Sequence, residues 1–188
     1  MTPEATPSQT IGPFFHFALL DEDRSKLVVP DHPSAVRIEG TVFDGAGEVV
    51  SDAMLEIWQA NAAGRYAHPE DSREDPPPEE GFSGFGRCGT DAGGRFEFVT
   101  VKPGPVPGPD GRPQAPHISV SVFARGLLKR LATRIYFPDE EESNATDPVL
   151  TSIEDPALRS TVVACAVNGG LRFDIHLQGE RQTAFFDV

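Results

Sequence analysis

Apolar and polar residues alternate most cleanly from His117 to Arg125 (HISVSVFAR). Ile118, Val120 and Val122 fall on one side, and His117, Ser119, Ser121 and Phe123 on the other. A period of two marks a strand whose two faces see different surroundings. The same period links Val36, Ile38 and Val42, with Gly40 interrupting it as a bulge would. It returns at Phe96 and Phe98, after the turn Thr90-Asp91-Ala92-Gly93-Gly94. Residues 49–59 predict another strand, which runs out into LEIWQANAAGRY. There Leu55, Ile57 and the only tryptophan, Trp58, form an apolar run, Asn61 to Gly64 reads as a reversal, and Arg65 and Tyr66 stand at its rim. Leu131 to Phe137 is expected to return antiparallel. Phe173 to Leu177 and Thr183 to Phe186 are expected to close the fold as strands, split by Gly179. Helical signals are confined to residues 139–160, where Asp147 precedes Pro148-Val149-Leu150 and Pro156 can open a second turn.

Turn residues punctuate this pattern. Asp44-Gly45 suits a hairpin. The acidic stretch from Ala67 to Ser83, with three consecutive prolines at 76–78, cannot lie inside a sheet. Lys102-Pro103-Gly104-Pro105 predicts a rigid corner and a loop running to Pro116. Many short strands with Pro- and Gly-rich connections predict an all-β, prealbumin-like β-sandwich of mixed and antiparallel sheets, with long loops and one short helical insert. With 188 residues the chain suffices for one good core. Residues 1–35 are rich in Pro, Thr and acidic groups and cannot build a core alone, yet QTIGPFFHFALL is too aromatic for a bare tail. The expected division is an extended N-terminal arm, residues 1–35, that packs on a partner subunit, and a sandwich domain at 36–188.

A net charge of −13 argues against nucleic acid or an anionic membrane surface as partner. The two cysteines, Cys88 and Cys165, lack metal-like spacing and fit a reducing compartment. The first ten residues have neither a basic start nor an apolar core, so the expected location is the cytoplasm. Five histidines (His16, His32, His68, His117, His176) offer no His-x-His or His-x-x-x-His pair, which leaves a zinc site with little support. No Gly-x-Ser-x-Gly elbow and no phosphate-cradling glycine loop occur.

LEIWQANAAGRY, GFGRCGTDAGGRFEFVTVKPGPVP and APHISVSVFARG together resemble the intradiol ring-cleaving dioxygenases. The resemblance runs from TPSQTIGPF to the terminal TAFFDV. It implies ferric non-haem iron held by two tyrosines and two histidines in the family's catalytic subunit. The matching positions here are Tyr66, Val106, His117 and Ser119, so two of the four carry no suitable ligand. Ferric iron needs hard anionic oxygen and imidazole donors. The resemblance therefore implies an iron-free subunit, with Tyr66 and His117 as relics hydrogen-bonded in a metal-free pocket. Its partner would be an iron-bearing β subunit, and the α–β pairs would build a large hetero-oligomer. Thr10, Gly12, Pro13 and Phe14 of the arm, and Arg125, match positions that complete the partner's pocket. There a guanidinium would complement the carboxylate of 3,4-dihydroxybenzoate, which O2 cleaves to 3-carboxy-cis,cis-muconate. The bland alternatives are an Arg125 that bridges an acidic loop and a Thr10 that caps the arm. Two other readings stay open at this point. One is a prealbumin-like structural or binding module without a catalytic role, and the other a stand-alone intradiol enzyme with altered ligands.

Overall fold

The structure, a computed structural model, describes residues 8–12, 17–108 and 111–187. Eleven strands lie among these residues: β1 (Ala35–Phe43), β2 (Met54–Trp58), β3 (Phe85–Gly89), β4 (Arg95–Val101), β5 (Val106–Pro107), β6 (Pro113–Gln114), β7 (His117–Phe123), β8 (Leu131–Tyr136), β9 (Cys165–Val167), β10 (Gly170–Arg172) and β11 (Ile175–His176). In one sheet β1 pairs antiparallel with β4 on one edge and parallel with β10 and β11 on the other, and β9 lies outside β10. The second sheet is antiparallel in the order β3-β2-β7-β8.

Alternation explains the layers. Ile38, Val42, Phe96, Phe98, Leu171 and Phe173 point from the first sheet, and Leu55, Ile57, Ile118, Val120, Val122 and Ile135 from the second, into one core. Burial of these side chains is the main force joining the sheets. The β7 residues predicted to face inward, Ile118, Val120 and Val122, are at most 2% exposed. Trp58 stands on the opposite face of β2 from Ile57 and is half-buried there. The sandwich and the antiparallel return of β8 are as the sequence pattern predicts.

Several local expectations need correction. Gly40 makes no bulge, because β1 and β4 stay in register from Ala35↔Val101 through Thr41↔Arg95. Its lack of a side chain serves close approach instead: a Cβ there would lie 1.8 Å from the Phe173 carbonyl oxygen. Thr183 to Phe186 is not a strand, and its Phe186 N–H makes a single bridge to the Ala132 carbonyl. The Pro/Gly loop after β4 holds a small hairpin, β5–β6. β9 went unpredicted because all three of its residues are exposed and show no alternation.

The helical insert comprises α1 (Glu141–Thr146), a 3-10 turn (Leu150–Ser152) and α2 (Pro156–Ser160). Asp147 caps the 3-10 turn as expected, accepting from the N–H groups of Val149 and Leu150. Leu150 and Val162 then pack on Tyr136 in a second, smaller apolar cluster. The insert thus clamps one end of the β7–β8 pair. On the N-terminal side, Leu27 packs against the main core, and Leu27 and Ser25 bond to Val99 through their backbones. From residue 24 onward the expected arm therefore lies on this chain's own sandwich.

Candidate functional site

The reversal after β2 is built by one side chain. Asn61 Oδ1 accepts from the N–H groups of Ala63 and Arg65, and the Asn61 carbonyl accepts from those of Gly64 and Gly104. Gly64, at φ +82°, presses on the Lys102–Pro105 corner so closely that a Cβ would sit 2.2 Å from the Pro105 carbonyl oxygen. This contact brings Tyr66 and Val106, far apart in sequence, to the walls of one 630 Å³ cleft. The Tyr66 ring stacks on Trp58 with centroids 5.9 Å apart. The Tyr66 N–H donates to Asp71, whose carboxylate is held by Arg73 at 2.6 Å and lies 3.6 Å from Arg65. These partners, Arg73 first, hold the Asp71 carboxyl well below the usual range. Burial pushes the Tyr66 phenol up, so it stays protonated at neutral pH.

The other two predicted ligand positions lie on the same face of the second sheet. Ser119 pairs with Trp58 of β2 on one side and with Arg134 of β8 on the other. His117 is only 4% exposed, and its Nδ1–H donates to the Ala115 carbonyl at 2.8 Å. Burial, with the Arg134 charge second, lowers its pKa to about 4. Its ring lies 5.8 Å from that of Tyr136. The fully buried Tyr136 donates its hydroxyl to Asp147 at 3.0 Å, and burial raises its pKa. Tyr66, Val106, His117 and Ser119 are thus brought to one region, with His117 buried and Tyr66 half-buried on the cleft wall.

Sequence reasoning missed what sits among them. The Arg134 guanidinium donates from one nitrogen to Gln114 Oε1 at 2.7 Å and to the Tyr136 hydroxyl at 3.3 Å. Asp147, 0% exposed, accepts from the Ala115 N–H as well as from Tyr136. The β7–β8 register and the alternation of Ala132, Arg134 and Tyr136 were the signals that could have placed Arg134 opposite Ser119. Ferric iron does not fit this set. Val106 has no donor atom, Ser119 offers only a neutral hydroxyl, and a fixed cation stands beside the remaining groups.

Thr10 and Arg125 meet beyond the far end of β7, a strand that runs about 20 Å from His117 to Phe123 at ~3.3 Å per residue. Thr10 Oγ1 accepts from the Gly126 N–H at 2.8 Å, which ties the N-terminal segment to the residue beside Arg125. Arg125 bonds through Nε to Asp52, and its side chain is 73% exposed. The bland expectation of an ion pair with an acidic loop is therefore met by Asp52, while the guanidinium still faces solvent. Gly12 is exposed, and a Cβ there would meet nothing within 4 Å. Pro13 and Phe14 lie outside the described residues.

A family model described as Dioxygenase matches residues 11–179. The chain belongs to this dioxygenase family. It is 44% identical over 199 aligned residues to the protocatechuate 3,4-dioxygenase alpha chain of Pseudomonas putida, covering 97% of this chain and 96% of that one. The alpha chain of Burkholderia cepacia is 41% identical over the whole of this chain and 99% of its own length. The beta chain of the same enzyme from Burkholderia cepacia is 38% identical over 87% of this chain and 74% of that one. Among solved structures, the dioxygenase domain of a dioxygenase–carbohydrate-binding fusion from Streptomyces sp. SirexAA-E superposes with a TM-score of 0.60 at 28% identity, covering 95% of this chain and 98% of that one. For the dioxygenase family, then, both the resemblance and the expected sandwich hold. No helix among the described residues is long and apolar enough to cross a membrane.

Proposed function

We propose that this chain is the alpha subunit of a protocatechuate 3,4-dioxygenase, holding no iron of its own and completing the active site of an iron-bearing beta subunit. One observation carries the reading: the likeness to alpha chains extends over essentially the full length, while two of the four matching ligand positions hold Val106 and Ser119, with the Arg134 guanidinium beside them. The reaction of the pair is O2-dependent intradiol cleavage of 3,4-dihydroxybenzoate to 3-carboxy-cis,cis-muconate, and its ferric chemistry belongs to the partner. This chain contributes position and charge. Arg125, exposed at the end of β7, supplies a cation for the ring carboxylate, which a chain of net charge −13 needs locally. Thr10 and Gly12 carry the N-terminal segment past that point, with Pro13 and Phe14 following in sequence. The compartment proposed is the cytoplasm, in keeping with the unpaired Cys88 and Cys165.

The test is metal content and visible absorbance, on the chain alone and after co-expression with a beta chain. The reading expects a colourless chain alone, and a coloured complex that consumes O2 when given protocatechuate. Iron and colour in the isolated chain would reject it in favour of a stand-alone enzyme.

A further inference from the structure

We infer that Arg134 closes the relic centre to metal ions, as a barrier separate from the two ligands lost at Val106 and Ser119. The guanidinium is permanently charged. It lies opposite Ser119 across the β7–β8 ladder, and the Trp58–Ser119–Arg134 row spans three adjacent strands on the face that holds His117 and Tyr136. Two contacts fix it there, to Gln114 Oε1 at 2.7 Å and to the Tyr136 hydroxyl at 3.3 Å. Gln114 is only 8% exposed and Tyr136 is fully buried, so swinging Arg134 outward would leave a buried acceptor unpaired.

Three consequences follow from that placement. The positive charge that the family's sites receive from a metal is already present, and it is linked through the Tyr136 hydroxyl to the buried Asp147 carboxylate. A second cation entering beside it would meet repulsion that the poorly solvated surroundings screen weakly. Ser119 also puts only a small side chain opposite Arg134. Opposed residues on one sheet face have Cβ atoms about 5 Å apart, so a histidine at 119 would be driven against Arg134. Returning the two missing ligands is therefore insufficient while Arg134 remains.

The experiment uses the full chain in three forms: Val106→Tyr/Ser119→His, the same pair with Arg134→Gln, and the same pair with Arg134→Lys. Ferric ion is the probe. Bound iron per chain and the visible absorbance of iron-bound tyrosinate are the readouts, with circular dichroism confirming a folded chain. The Gln triple variant is expected to bind iron at least tenfold more tightly than the double variant and to develop colour. The Lys triple variant, which keeps the charge, is expected to stay with the double variant. Equal iron binding by the double and Gln variants would overturn the inference, as would failure of a folded Gln variant to bind. The inference rests on the family assignment. Its failure would leave the alpha-subunit reading intact, because that reading is tested by the unmodified chain and its complex.

Discussion

His117 is held in this fold by burial and a single hydrogen bond. In the family pattern it would be a metal ligand, and here it is a neutral, buried imidazole bonded to the Ala115 carbonyl. Its pKa, near 4 in the folded chain, lies below the ordinary 6.5, so the unfolded chain takes up the proton first as pH falls. The stability His117 contributes is full above pH 6.5 and is lost progressively toward pH 4. By that linkage, lowering the pH from 7.5 to 5 should cost about 2 kcal/mol through this residue alone. Urea unfolding of the chain and of His117→Gln at both pH values measures it. The Gln variant should show a loss smaller by about that amount, and parallel losses in the two proteins would mean that His117 does not titrate as its burial demands. The two positions to which the resemblance assigns a missing ligand could be named from the sequence, since Val106 follows a Lys-Pro-Gly-Pro corner and Ser119 stands two residues after His117. Arg134 was not, because its position depends on a pairing between strands rather than on spacing along one.

At the scale of elements, that pairing is set by the end of β8. The β7–β8 register runs without a break from His117↔Tyr136 to Val122↔Leu131. One more residue or one fewer in the connection would turn Arg134 to the core face and expel Ile135 from it. The alternation in His117–Phe123 and Leu131–Tyr136 gave the two strands and their inner faces. It could not show that the helical insert clamps their end, because the clamp is a buried carboxylate in an irregular segment. Asp147 accepts four hydrogen bonds, from Ala115, Val149 and Leu150 N–H and from the Tyr136 hydroxyl. Replacing it with alanine leaves those buried donors without partners and removes the negative charge linked to Arg134. Asp147→Ala should cost about 3 kcal/mol, roughly 10 °C of thermal midpoint for a chain this size. Thermal unfolding checks the size of the loss. A shift below ~2 °C would show that the insert is held by the Leu150–Val162 apolar cluster rather than by the carboxylate.

Over the whole molecule, the two groups of predicted site residues lie toward opposite ends of β7, and the proposed function gives a part in catalysis to only one of them. The relic centre beside His117 is closed by its own guanidinium. The other end, where Thr10 meets Gly126 beside the exposed Arg125, is open to a neighbour. Phe17 and Leu128, 73% and 61% exposed, add apolar surface on the same two segments that carry those residues, the N-terminal stretch and the loop after β7. If these segments complete a partner's pocket, removing them should damage substrate handling and leave the partner's iron in place. Deleting residues 1–12 and, separately, Arg125→Ala test this in the co-expressed complex. Both should retain the iron content and visible colour of the unaltered complex, read per beta chain, and both should raise KM for protocatechuate. For Arg125→Ala a loss of one charge-assisted contact to a carboxylate predicts a rise of about tenfold, the equivalent of roughly 1.4 kcal/mol. Size-exclusion chromatography separates this from failed assembly, since a complex that stays associated with unchanged KM would show that the segment only pairs the subunits. A complex whose KM rises for protocatechuate but not for catechol, which lacks the carboxylate, would tie the effect to the charge on Arg125 rather than to the shape of the pocket.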